Sequence, residues 1–69
     1  MPYILIQVTD DGVTQDQKDA LIAGATDLMV KVLNKDPEAT FVVIDEVNPD
    51  NWGHGGEAVS RRRRRAAAG

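Results

Sequence analysis

Apolar side chains along the first fifty residues fall into three blocks with different periods. Tyr3 to Val8 reads Tyr-Ile-Leu-Ile-Gln-Val, short and rich in β-branched residues, with Gly12 punctuating soon after, which predicts a strand. Ile4, Ile6 and Val8 form one alternating set and Tyr3 and Leu5 the other, so both faces of this strand are apolar and both call for a cover. Leu21, Ile22, Ala25, Leu28, Met29, Val32 and Leu33 then recur at spacings of three and four. That is the stripe of an amphipathic helix, with Lys18, Asp19, Asp27 and Lys31 off it. Thr14 followed by Gln17 has the form of a capping box at the helix start. Asn34, which tolerates the left-handed conformation, and Pro37, which forbids continuation, place the helix end near Leu33 or Asn34. Asp36-Pro37-Glu38 reads as a short capped turn, and Thr40 to Val47 repeats the strand pattern. One helix between two strands is a βαβ unit, which makes the strands parallel.

The periodicity then stops. Asn48-Pro49-Asp50-Asn51 is a turn cluster, and the glycine-rich segment Trp52-Gly53-His54-Gly55-Gly56 predicts a tight hairpin or an irregular loop. Residues 61–69 are low in complexity, with neither turn chemistry nor an apolar stripe, and are expected to be disordered. The fold class is therefore α/β: a small β-α-β unit with parallel strands and a C-terminal hairpin.

Length changes the picture. A chain of 69 residues is one domain at most, and a domain this small buries only about 60% of the surface its unfolded chain exposes. The sequence has no cysteine and a single histidine, His54, so disulfide and metal staples are out of reach and oligomerisation remains. No apolar run approaches the ~20 residues of a membrane span, and the N-terminus lacks signal-peptide features, so a cytoplasmic location is expected. The net charge of -3 hides an asymmetry, because Arg61 to Arg65 supply five of the eight basic residues. Residues 1–60 carry three lysines against eleven acids, a net of -8. Such an acidic body argues against nucleic-acid binding, leaving the arginine run as a solvated tail or a weak, salt-dependent polyanion contact.

Candidate chemistry sits at the N-terminus. A small second residue favours removal of Met1, and Pro2 would then carry a free secondary amine in place of an amide nitrogen without useful basicity. In an apolar pocket the charged form of such an amine is disfavoured, which suits it to act as a base. Alone, Pro2 reads first as a strand-initiating proline that needs no ladder donor. Three features stand together: Met1-Pro2 leading into a strand, Thr14-x-x-Gln17-Lys18 at a helix start, and Asn51-Trp52-Gly53-x-Gly55-Gly56 after the second strand. In this order the chain resembles the 4-oxalocrotonate tautomerase family over residues 2 to about 60.

The resemblance implies a tautomerase-like domain over 1–60 that assembles as a homo-oligomer, most simply a homohexamer. It also implies a cofactor-independent isomerase that moves a proton on a small conjugated enol or 2-keto acid, with Pro2 as general base. Trp52 falls where the family places a pocket aromatic, usually phenylalanine. Val13 and Phe41 fall where members acting on dicarboxylates carry two arginines, so carboxylate recognition by guanidinium is missing from both places. The implied pocket is more apolar, with Asn51, His54 and backbone N–H groups near Gly12 as polar contacts. His54 between glycines is by default a solvated loop residue. Asp50 and Glu57 do not stand at metal-ligand spacing from it, so no metal site is expected. Asp45 or Glu46 could activate water, as in dehalogenase relatives, and an arginine of the tail could reach a neighbour's active site. The rival reading is a non-catalytic subunit that kept the assembly and lost the chemistry.

Overall fold

The alternating pattern at the N-terminus forms β1 (Tyr3–Thr9), the periodic stripe forms α1 (Gln15–Leu33), and the second alternating run forms β2 (Phe41–Val47). These elements come from a computed structural model of the chain that describes residues 1–68. β1 and β2 pair in parallel, with Tyr3 opposite Phe41, Leu5 opposite Val43 and Ile6 opposite Ile44. Both bonds of the capping box are present at α1: Gln17 N–H donates to Thr14 Oγ1 at 3.1 Å, and Thr14 N–H to Gln17 Oε1 at 2.9 Å. Asn34 ends the helix in the left-handed region at φ 53°, its N–H returning to the Val30 carbonyl at 3.0 Å. Asp36 caps a 3-10 turn over Pro37–Ala39, and Asn48 caps a second over Pro49–Asn51.

A short antiparallel hairpin follows, β3 (Gly53–His54) with β4 (Glu57–Ala58). Its two-residue loop is Gly55-Gly56, with φ 62° and 81°. Positive φ at both central positions matches the right-handed twist of the flanking strands, and glycine adopts it without a Cβ clash.

The expectation of disorder over 61–69 is corrected for its described part: Val59–Ala68 forms a helix, α2. Arginine and alanine are strong helix formers, and ion pairs to the body hold the helix in place. Arg63 forks onto Asp11 at 2.6 and 3.1 Å, and Arg65 Nη1 meets Glu57 Oε2 at 2.5 Å. Gly69 lies outside the described residues.

The helical stripe is also corrected in part. The half-buried positions of α1 are Lys18, Ala25, Thr26, Met29 and Val30, while Leu21, Leu28 and Val32 stay exposed at 39%, 54% and 67%. The apolar arc is wider than one sheet face covers, so one flank lies on the sheet and the other is left over. Lys18, expected off the stripe, sits on the covered side because its ammonium reaches Glu46 of β2 at 2.7 Å. The sheet is equally one-sided. Ile4, Ile6 and Val8 are half-buried, whereas Tyr3, Leu5, Phe41 and Val43 form an open apolar face.

No described residue is fully buried in the single chain. The radius of gyration is 15.9 Å, against about 11 Å for a compact chain of this length. The accessible surface is 5065 Å², against about 4,200 Å² for a folded monomer of this mass. Both values exceed those of a compact monomer, in keeping with the open apolar faces of the sheet and of α1. Among the described residues no helix is long and apolar enough to cross a membrane.

Candidate active site

Pro2 immediately precedes β1 and is half-buried. Its carbonyl accepts the Phe41 N–H at 3.0 Å, which continues the β1–β2 ladder by one step and fixes the residue at the start of the sheet. Met1 ahead of it is 87% exposed. Phe41, first in β2, lies beside Tyr3 on the open sheet face, half exposed.

The other candidate residues follow the opposite ends of the strands. Val13 precedes the cap of α1 and, with Gln17, Ala20 and Leu21, lines an apolar hollow of about 470 Å³. Asn51 and Trp52 line a second hollow of about 280 Å³ with Gln7, Val47 and Gly53. Trp52 is half-buried and its carbonyl accepts the Val59 N–H at 2.7 Å, tying the turn to the start of α2. His54 lies in a third hollow of about 420 Å³ under α2.

None of these hollows includes Pro2. Seven-residue parallel strands, rising about 3.3 Å per residue, separate the Pro2–Phe41 end from the Val13–Trp52 end by roughly 20 Å. One protomer therefore brings Pro2 together with Phe41 and leaves Val13, Asn51, Trp52 and His54 at the far end. A site containing both groups requires a second copy whose far end meets this one's Pro2.

The sequence reading missed the link between Asp11 and Arg63. Arg63 and the Thr9 hydroxyl both donate to the Asp11 carboxylate, and these hydrogen bonds, the one from Arg63 foremost, hold its pKa down at about 2. A guanidinium thus reaches the loop two residues from Val13, but from α2 and already paired. No local spacing signals a contact spanning 52 residues. The helix-forming composition of 59–68 was the one visible hint. Among the described residues no group of three or more His, Asp or Glu side chains converges to hold a metal ion.

A family profile for the Tautomerase enzyme matches residues 2–62. The probable tautomerase K2 of Dickeya dadantii is 55% identical over 97% of this chain and 100% of its own length. Among solved structures, DmpI from Helicobacter pylori superposes with a TM-score of 0.83 at 48% identity, covering 91% of this chain and 97% of that one. TomN, a 4-oxalocrotonate tautomerase homologue in the tomaymycin biosynthetic pathway, does so with 0.83 at 28% identity, over 91% and 95%.

Proposed function

The chain belongs to the tautomerase family, and we propose that it is a cofactor-independent, cytoplasmic tautomerase of 4-oxalocrotonate tautomerase type that uses the amino nitrogen of Pro2 as general base. The observation that carries this reading is the pairing of an exposed Met1 with an anchored Pro2. Removal of the first residue uncovers little surface, since Met1 is 87% exposed, while the Pro2 carbonyl stays on the Phe41 N–H at 3.0 Å. The new chain end is then a secondary amine in a fixed position at the edge of an apolar sheet face.

The neutral nitrogen takes a proton from an enol oxygen, or from carbon next to a carbonyl, and returns it to another carbon of the conjugated system. Tyr3, Leu5, Phe41 and Val43 pack against further copies, in a homohexamer, and a neighbouring protomer supplies Trp52 and Asn51 opposite Pro2. Such covering removes water from the amine and disfavours its charged form. With Val13 and Phe41 in place of guanidinium groups, the pocket suits a small conjugated enol or 2-keto acid with at most one carboxylate. Enolate stabilisation falls to hydrogen-bond donors such as Asn51 and the backbone near Gly12.

Intact mass and turnover of an arylpyruvate enol test the reading together. The processed protein should lack one methionine, and Pro2→Ala should lower kcat by about 10² to 10⁴ without loss of fold. Equal rates in the two proteins, or full activity with Met1 retained, would remove Pro2 from the mechanism. The lack of charge at Val13 and Phe41 favours a second reading, a non-catalytic partner of an active paralogue; it predicts no turnover of any enol and a second homologous chain in the native assembly.

A further inference from the structure

Five consecutive arginines on one helix point in every direction around its axis, and the structure sorts them. Arg63 is committed to Asp11 and Arg65 to Glu57. Arg61 and Arg64 lie away from the concave side, whereas Arg62 faces into the groove between α2 and the β3–β4 hairpin. Its one polar contact there is the His54 carbonyl, at 3.5 Å, the outer limit of a hydrogen bond. The guanidinium lies against the hairpin turn: a Cβ at Gly55 would be in van der Waals contact with Arg62 Nη1, at 3.5 Å.

The groove holds about 420 Å³ and is lined by His54, Val59, Arg62, Arg63, Arg65 and Ala66. That volume is in the range of small-molecule sites. Val59, Arg62, Arg63 and Ala66 are spaced three, one and three apart, so they share one side of α2. Two of the three guanidinium groups on its walls are neutralised by the carboxylates they hold. The charge left over is a single planar fork beside Val59 and Ala66, with His54 also on the lining.

We propose that the groove between α2 and the hairpin binds a small organic monocarboxylate, its carboxylate forked by Arg62 and its apolar body resting on Val59 and Ala66. The guanidinium geometry matches a carboxylate with two parallel N–H donors, which a point charge does not offer. A nucleic acid is a poor fit. The body of residues 1–60 carries a net charge of -8, and Asp11 and Glu57 already occupy two of the five arginines. The site does not depend on the role of Pro2. Its ligand is either the carboxylate of the substrate itself or a separate effector with the same chemistry.

The test is a titration of the full chain with phenylacetate at low salt, followed through the His54 ring and Val59 methyl NMR signals. Saturable binding is expected, weakened roughly tenfold or more by Arg62→Ala and partly restored by Arg62→Lys. Arg64→Ala, which removes the same charge outside the groove, should change the affinity by less than about twofold. 2-Phenylethanol, with a similar apolar body and no charge, should not saturate these signals. Competitive inhibition of enol turnover by phenylacetate in the parent protein, lost in Arg62→Ala, identifies the substrate's carboxylate as the natural ligand; binding without competition identifies an effector. Equal weakening by Arg62→Ala and Arg64→Ala, or no saturation at His54 and Val59, overturns the proposal in favour of a diffuse cationic surface.

Discussion

Ile4, Ile6, Val42 and Ile44 lie under α1 on the inner face of the sheet, whereas the polar contacts of α2 with the rest of the chain are Arg63 on Asp11, Arg65 on Glu57, Arg62 on the His54 carbonyl and one backbone bond to Trp52. The first attachment is apolar, non-directional and continuous with surface that remains open. The second is ionic, directional and closed by particular pairs. The two regions therefore respond to different perturbations: the βαβ unit to changes in apolar area, and α2 to salt and acid.

The largest effect is expected where the apolar region is still incomplete. Leu5→Glu places a carboxylate on the open face beside Tyr3 and Val43. It should dissociate the assembly and cost more than about 3 kcal/mol per protomer, because a buried unpaired charge has no compensation. Sedimentation velocity of the variant checks this; an unchanged particle would mean that another surface carries the contacts. A smaller effect is expected within α1. Thr14→Ala removes the acceptor for the Gln17 N–H and should lower stability by about 1 kcal/mol in a denaturant titration, with Thr14→Ser close to the parent.

The smallest global effect, and the most local one, belongs to α2. The Asp11 carboxyl is held at about 2 by Arg63 and Thr9, below the ~3.9 of a free aspartate. A carboxyl whose folded pKa is depressed contributes its stabilisation in full above the unfolded value and loses it as pH falls through the folded one. Protection of the Val59–Ala68 amides, taken relative to their intrinsic exchange rate at each pH, should therefore be full at pH 5 and fall as pH drops from about 4 towards 2. In 1 M salt, which weakens ion pairs between solvent-exposed side chains such as these, the same segment should loosen while the βαβ unit is unaffected. Asp11→Asn should reproduce the loosening at neutral pH. If α2 keeps the same protection in all these conditions, its attachment is not ionic and the contrast between the two regions fails.

This contrast also explains what could be read from the sequence. Thr14 and Gln17, Asn34, Asp36-Pro37 and the alternating runs are local signals, each acting over three or four residues, and each formed the element expected of it. Which flank of α1 would lie on the sheet was not local. Leu21 and Leu28 have the stronger apolar character, yet Lys18 is on the covered side because its ammonium reaches Glu46. Residues 61–68 read as disordered for the same reason, since a run of like charges looks solvated until its counter-charges at Asp11 and Glu57 are known. The candidate site was legible as residue types but not as a place, because Pro2 and Trp52 stand at opposite ends of the strands and no single-chain pattern records which end of one copy faces another.

The exposure of Met1 bears on how the molecule is handled in the laboratory. Because β1 begins at Tyr3 and Met1 is exposed, a purification tag or reporter joined ahead of Pro2 should be tolerated by the fold. It would nonetheless turn the secondary amine back into an amide. Under the proposed Pro2 mechanism, a fusion at the front of the chain would then be well folded and chemically silent, and a screen run on such material would record an inactive protein for a reason that lies in the cloning vector.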